Sequence, residues 1–319
     1  MIKKIAWGTS KLLEMYLRQT KSNPFSYCID DFTKRDMFCG LQVKRSTTLS
    51  NEKKGEFLMV IFAVSNEALQ EISSSLRSSG LSYGKDFIFY SDFFRPNFEK
   101  KTEKLLGIKL NNDLYRYALS FTLNSRTSIH TTILGTWLFL ELVKKVDSLH
   151  GQIAEVGAFQ GGNVLCALNF MAAAGLHPKK YYAFDSFEGF PELSEFDPKS
   201  FRRGDHSIKV IPQEIMDKFV IFPNAKIVKG FIPKTFSHIG NNERFALVFY
   251  DCDLYEPALA TYKYFWDKIV PGGYMVIHDY ETQTGGFTGV KKASEEFFGP
   301  LGVVPTSFFE NTMAVIKKQ

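Results

Sequence analysis

Short apolar runs alternate along this chain with longer amphipathic stretches, in two separate series. In the first, KKIAWG reads as a strand, SKLLEMYLRQ as a helix and FSYCID as a second strand ending in Asp30 and Asp31. EFLMVIFAVS is then a strongly apolar strand, NEALQEISSSLRSSG a helix closed by Gly80, and KDFIFYSDF a further strand. Strands that are apolar almost throughout, separated by helices, predict a parallel sheet covered on both faces.

The polar stretch from Arg95 to Leu106 (RPNFEKKTEKLL) ends that unit. Helical segments follow between Asp113 and Leu149. Among them TTILGTWLFLELVKKV has an apolar face too wide to leave in water. It is expected to pack on the sheet of a second unit or on a partner subunit of a homo-oligomer.

The second series begins at Gly151 with strand GQIAEVGAF, helix GNVLCALNFMAAAG and strand YYAFD. After a loop-rich insert come AKIVKG, FALVFYDCD, helix YEPALATYKYFWDKI, turn PGG, strand YMVIHDY and helix GVKKASEEFF. Two strand-like segments, GVVPTSFF and TMAVIKK, joined at Glu310 and Asn311, close the chain as a hairpin. Plain dinucleotide folds continue with strand–helix units instead. The expected organisation is α/β throughout. A small Rossmann-like domain spans residues 1–98 and a helical connector 99–149. A larger Rossmann-like domain at 150–319 has a mostly parallel seven-stranded sheet ending in an antiparallel hairpin.

Composition adds limits. Of 319 residues, 45% are hydrophobic and 23% charged, the balance of a soluble globular protein. The 31 phenylalanines exceed ordinary usage and could line a pocket for a flat ligand such as adenine as well as a core. Net charge is +5, and its clusters (Lys100, Lys101, Lys104; Arg202, Arg203) are too short for a nucleic-acid face. A modest positive field suits an anionic substrate such as a nucleotide-linked sugar. Cys28, Cys39, Cys166 and Cys252 lack metal or redox spacing and read as reduced thiols. Gly8, Ser10, Lys11 and Glu14 break the opening apolar run before it resembles a signal peptide. No stretch reaches the ~20 apolar residues that span a bilayer. A cytoplasmic protein acting on small molecules, with neither nucleic acid nor membrane as partner, is expected.

Chemistry concentrates in three places. Glu155-Val156-Gly157-Ala158-Phe159-Gln160-Gly161-Gly162-Asn163 lies at a strand-to-helix junction, where glycines allow a tight turn beside a positive helix end. A carboxylate at Glu155 would repel a pyrophosphate and suits the amino group of S-adenosylmethionine. Asp185 ends the next strand, where an acid accepts hydrogen bonds from both ribose hydroxyls. An ordinary cap formed by Asp185 and Ser186 is the alternative. Asp251-Cys252-Asp253-Leu254-Tyr255-Glu256 and His278-Asp279-Tyr280 follow two further strands. Acids meeting there could hold a divalent ion that acidifies a substrate hydroxyl, or Asp253 and Glu256 could cap the next helix.

AEVGAFQGGN, FDSFEGFP, VKGFIPKTF, YDCDLYEP and VPGGYMVIHDY, in this order over about residues 150–300, resemble the macrocin O-methyltransferase family. The resemblance implies a class I methyltransferase domain, S-adenosylmethionine as cofactor and a sugar hydroxyl as acceptor. It also implies a cofactor shell of Glu155, Gly157, Phe159, Gly161, Gly162, Asn163, Asp185, Ser186, Phe187 and Gly230. Asp251 maps to a metal ligand and general base, and a pair of aspartates completes a magnesium site. Here that pair is His278-Asp279, so metal dependence is open. Without an ion, His278 is a candidate base or a structural, hydrogen-bonded histidine.

N-methylation of a related small molecule and a NAD-dependent nucleotide-sugar enzyme are the alternative readings. The second is disfavoured because the glycine pattern of both Rossmann-like units departs from the dinucleotide fingerprint. The insert from Glu192 to Pro212 is the expected acceptor cover, with Arg202, Arg203 and His206 as phosphate contacts or solvated surface. At the amino terminus, Gly8-Thr9-Ser10 and Asp30 or Asp31 form a partial dinucleotide fingerprint, for a nucleotide or for a ligand-free docking module.

Overall fold

Two sheets organise the chain in the computed structural model, which describes residues 2–20, 23–63, 65–127, 131–208, 212–281, 288–308 and 312–319. The first contains β1 (Lys3–Trp7), β2 (Tyr27–Ile29), β3 (Met37–Phe38), β4 (Leu41–Lys44), β5 (Phe57–Ile61) and β6 (Phe87–Phe89), in the order β3-β4-β2-β1-β5-β6. Its pairs are parallel except β3 with β4. Helices α1 (Lys11–Gln19) and α2 (Asn66–Ser78) are its crossovers, each opened by a serine cap, Ser10 and Ser65.

The strand expected over KDFIFYSDF stops at Phe89, and α3 (Tyr90–Leu106) starts at once. Asp92 is the reason. Its carboxylate accepts the Phe89 N–H at 3.1 Å and the hydroxyls of Tyr83 and Tyr115, which turns the chain into a helix. The Arg95–Leu106 stretch, expected to end the first unit, continues α3 without a break.

Helices α4 (Asn112–Asn124) and α5 (Ile133–Lys145) lead to the second sheet. Every residue of α5 from Ile133 to Val143 is buried within this one chain. Phe139 packs on Phe249 with ring centroids 4.9 Å apart, so the apolar face meets the second sheet as one of the two expectations had it. Burying a side chain of that size contributes about 2 kcal/mol. One apolar cluster runs from Ile5 and Met59 through Trp137 and Phe139 to Leu247 and Val315, joining both sheets through α5.

The second sheet comprises β7 (Gln152–Val156), β8 (Tyr181–Asp185), β9 (Ala225–Lys229), β10 (Phe245–Tyr250), β11 (Ile269–His278), β12 (Thr306–Phe308) and β13 (Met313–Lys317). Their order is β12-β13-β11-β10-β7-β8-β9. The five strands from β7 to β11 are parallel, while β13 runs antiparallel to both β11 and β12. This is the class I methyltransferase arrangement, closed by the expected hairpin. Its joint at Glu310 and Asn311 lies outside the described residues. Covering helices are α6 (Gly162–Ala173), α7 (Pro212–Asp217), α8 (Tyr255–Phe265) and α9 (Thr288–Phe298). The PGG segment, read as a turn, lies inside β11, where the register against β10 jumps from Phe245↔Ile269 to Leu247↔Tyr274. No helix among the described residues is long and apolar enough to cross a membrane.

Candidate functional site

Strand register brings the acids together. Tyr250 of β10 pairs with Val156 on one side and Ile277 on the other, so Asp251 and His278 leave the sheet side by side. Four adjacent strands, β8, β7, β10 and β11, are each followed by a non-glycine residue with left-handed backbone. These are Phe187 (φ +59°), Phe159 (φ +47°), Asp253 (φ +63°) and Asp279 (φ +48°). Each such residue costs about 1–3 kcal/mol, and clusters of them mark ligand sites.

The glycines of the first loop answer to the protein itself. At Gly157 (φ +97°) a Cβ would lie 2.0 Å from the Asp251 carbonyl oxygen, and at Gly161 (φ +76°) 2.4 Å from the Phe219 ring. Asp185 binds the loops on both sides, accepting the Phe159 N–H on one carboxylate oxygen and the Phe187 N–H on the other, each at 2.7 Å. Burial raises its carboxyl and Asp251 adds to this, against those two hydrogen bonds.

Glu155 lies beneath the loop. Its carboxylate accepts hydrogen bonds from the Tyr181 hydroxyl at 2.5 Å and from Asn163 Nδ2 at 3.2 Å. Burial pushes its carboxyl up to about 8, helped by Asp251 and Asp185 and opposed by those two donors. Asn163 Oδ1 is buried with no hydrogen-bond partner.

His278 centres the acid cluster. Its Nδ1 lies 2.7 Å from Asp251 Oδ1 and 2.8 Å from Asp279 Oδ2. Burial alone would depress the imidazole, but Asp251 and Asp279 outweigh it and hold it well above its ordinary range. Asp253 is driven the other way. Burial, then Asp279 and Asp251, raise its carboxyl well above the usual range. Burial also works against ionisation of Asp279, yet His278 and a hydrogen bond from Asp253 keep its carboxyl low. A charged imidazole among two carboxylates, with Asp253 carrying a proton, satisfies all three shifts.

Asp253 is thus not a helix cap. The Leu254 side chain provides none either, and the open Tyr255 N–H donates to Asp197 Oδ1 of the insert at 2.7 Å. The insert is tied to α9 as well, through Thr288 Oγ1 and the Phe196 carbonyl at 3.1 Å.

A cavity of about 390 Å³ spans these groups. Of the residues singled out in the sequence, Gly157, Phe159, Asp185, Ser186, Gly230, Asp251, His278 and Asp279 line it. Glu155, Gly161, Gly162, Asn163 and Phe187 are not part of its lining. The insert contributes Phe201 and His206, whose rings pack at a tilt against Phe190 with centroids 4.9 Å away in each case. Arg203 pairs with Glu192 at 2.7 Å on the surface, and Arg202 binds the Lys199 and Phe201 carbonyls, so neither lines the cavity. The end of the insert, at 209–211, lies outside the described residues.

Sequence reasoning missed three lining residues of the first sheet's α1, Lys11, Leu12 and Met15. No local signal could have revealed them. Of the amino-terminal fingerprint, Asp30 accepts the Thr9 N–H and hydroxyl together with the N–H groups of Phe32 and Thr33, and Asp31 accepts the Ser46 N–H.

Residues 139–299 match the model of the macrocin-O-methyltransferase (TylF) family. The chain is 25% identical over 142 residues to the 8-demethyl-8-(2,3-dimethoxy-alpha-L-rhamnosyl)-tetracenomycin-C 4'-O-methyltransferase of Streptomyces olivaceus, covering 42% of this chain and 54% of that enzyme. It is 22% identical over 145 residues to the mycinamicin III 3''-O-methyltransferase of Micromonospora griseorubida, covering 42% and 57%. The chain thus spans about half the length of these curated relatives. The solved structure of the O-methyltransferase NovP shares the fold, at a TM-score of 0.50 and 19% identity, over 59% of this chain and 82% of that one.

Proposed function

The chain belongs to the macrocin-O-methyltransferase family, and on that footing we propose that it transfers a methyl group from S-adenosylmethionine to a hydroxyl of a sugar-containing small molecule. One observation carries the reading: the Asp185 loop and the Asp251–His278–Asp279 cluster open on a single cavity. Oxygen as the acceptor atom is supported by both relatives, whose names specify O-methylation.

When bound, the cofactor supplies an electrophilic methyl group. A carboxylate has about four acceptor positions, and the N–H groups of Phe159 and Phe187 take two at Asp185. The remaining two suit a pair of ribose hydroxyls. Behind the loop, the buried and unpartnered Asn163 Oδ1 and the neighbouring Glu155 carboxyl give that side of the cavity the negative character that suits a charged amino group. The acceptor hydroxyl must lose a proton as it is methylated. With Nδ1 turned to Asp251 and Asp279, His278 serves as the base once its imidazolium has released the Nε2 proton to solvent; neutral Nε2 then takes the hydroxyl proton, and the two carboxylates stabilise the imidazolium that re-forms.

Ligand atoms of Asp251, His278 and Asp279 lie within 4.8 Å of one another, close enough to converge on one ion. Their chemistry fits magnesium poorly, because that ion prefers oxygen. An ion would also need the Nδ1 lone pair, which is lost once Nδ1 carries a proton between the two carboxylates. The imidazolium supplies the positive charge there, and no step of this reading runs through a metal.

Titration with S-adenosylhomocysteine and with NAD, followed by transfer of labelled methyl to a panel of glycosides, tests the reading. Tight NAD binding without S-adenosylhomocysteine binding would overturn it.

A further inference from the structure

Helix α1 belongs to the first sheet, yet its Lys11, Leu12 and Met15 line the same cavity as Asp251 and His278. Leu12 and Met15 are only 6% and 5% exposed, so this is a packed wall. The strand before it, β1, lies between β2 and β5, where the order of the first sheet reverses. Open α/β sheets bind ligands beyond the strand ends at such a point. Asp30, which a dinucleotide ribose would need, is already committed to Thr9, Phe32 and Thr33. The first unit therefore keeps the mouth of a nucleotide fold without its ribose anchor, and that mouth opens on the cavity of the second.

Charge points to the occupant. The cavity carries the acids Asp185, Asp251, Asp253 and Asp279, and Lys11 is the only lysine or arginine lining it among the described residues. Lys11 is exposed and, among the described residues, belongs to no ion pair. An ammonium free of carboxylate partners at a cavity wall attracts an anion, and the acids leave an anionic acceptor few other places for its charge.

We propose that α1 forms part of the acceptor site and that Lys11 binds a phosphate ester or diphosphate carried by the acceptor. The inference rests on the methyl-transfer reading of the cavity. It makes the substrate a phosphorylated or nucleotide-linked sugar, methylated before the phosphate is lost.

Calorimetric titration of the full chain with inorganic pyrophosphate, with and without saturating S-adenosylhomocysteine and at fixed ionic strength, tests it. The wild type should bind pyrophosphate. Lys11→Ala and Lys11→Glu should weaken binding about tenfold or more, and Lys11→Arg should restore it to within a few fold. Affinity for S-adenosylhomocysteine should be the same in all four proteins. A wild type that ignores pyrophosphate, or equal affinity across the series, overturns the proposal and leaves the methyl-transfer reading standing. If S-adenosylhomocysteine itself fails to bind, that reading falls, while the series run without it still decides the role of Lys11.

Discussion

Asp197 Oδ1 accepts the backbone N–H of Tyr255 at 2.7 Å across 58 residues of sequence, capping α8 from outside its own segment. The same carboxylate binds the Ser194 N–H and hydroxyl through its other oxygen, so one side chain fixes both the insert and the helix behind Asp251. Asp197→Ala should cost about 1 kcal/mol, the usual worth of a cap. It should also loosen the cavity cover. Stability is read by denaturant titration, and KM for the acceptor should rise while S-adenosylhomocysteine affinity stays constant. An unchanged KM would show that the insert does not cover the acceptor.

His278 should be the most sensitive position for turnover. Replacement by Asn keeps the size but removes the base, and should lower kcat by about 10²–10⁴-fold. Its pH signature follows from the raised imidazole. A histidine raised in the folded state contributes stability that is fully present below about 6.5, the unfolded value. That contribution fades as pH rises through the higher folded value. The melting-temperature gap between wild type and His278→Asn should therefore narrow toward alkaline pH. A constant gap would mean that the imidazole is not charged in the native site.

Turnover should survive chelation. With the imidazolium between Asp251 and Asp279, exhaustive treatment with EDTA should leave methyl transfer within about twofold of the untreated rate, since no metal-dependent step remains to be lost. Loss of activity on chelation and its recovery with added magnesium would transfer the role to an ion.

Glu155 offers a second pH test. Burial pushes its carboxyl up to about 8, so it carries a proton at neutral pH when no cationic ligand is present. A positively charged amino group beside it favours the carboxylate, so binding should release a proton. Affinity for S-adenosylhomocysteine should accordingly increase as pH rises from 7 to about 8 and then level off. Glu155→Gln should remove the dependence, as calorimetry in buffers of different ionisation enthalpy would show.

Gly157→Ala examines the loop. A methyl group 2.0 Å from the Asp251 carbonyl oxygen, at φ +97°, forces the ends of β7 and β10 apart. The expected cost is about 1–3 kcal/mol or more. Cofactor affinity should fall with it, and a stable variant with normal affinity would count against this packing.

The periodic parts of the fold were legible. Strands such as FALVFY and the run TTILGTWLFLELVKKV carry their burial in local pattern, and register alone then sets Asp251 beside His278. What stayed hidden depends on partners far along the chain. The strand end at Phe89 is set by Tyr83, Asp92 and Tyr115 together. Asp253 looks like a cap until Asp197 arrives from the insert. Glu155 was rightly placed at a strand end, but strand alternation points successive side chains to opposite faces. Its carboxylate therefore meets Tyr181 and Asn163 beneath the loop, while Val156 lines the cavity.

Helix α5 has no face left for water from Ile133 to Val143. Neither sheet can be peeled from it without wetting a core that also holds the other, so both should melt in a single cooperative transition. If the cavity is the acceptor site proposed above, selectivity for the acceptor is then not a detachable trait. A substitution deep in the outer unit, remote from any substrate, should shift the wall formed by Leu12 and Met15 and change which molecules are methylated before it changes how fast.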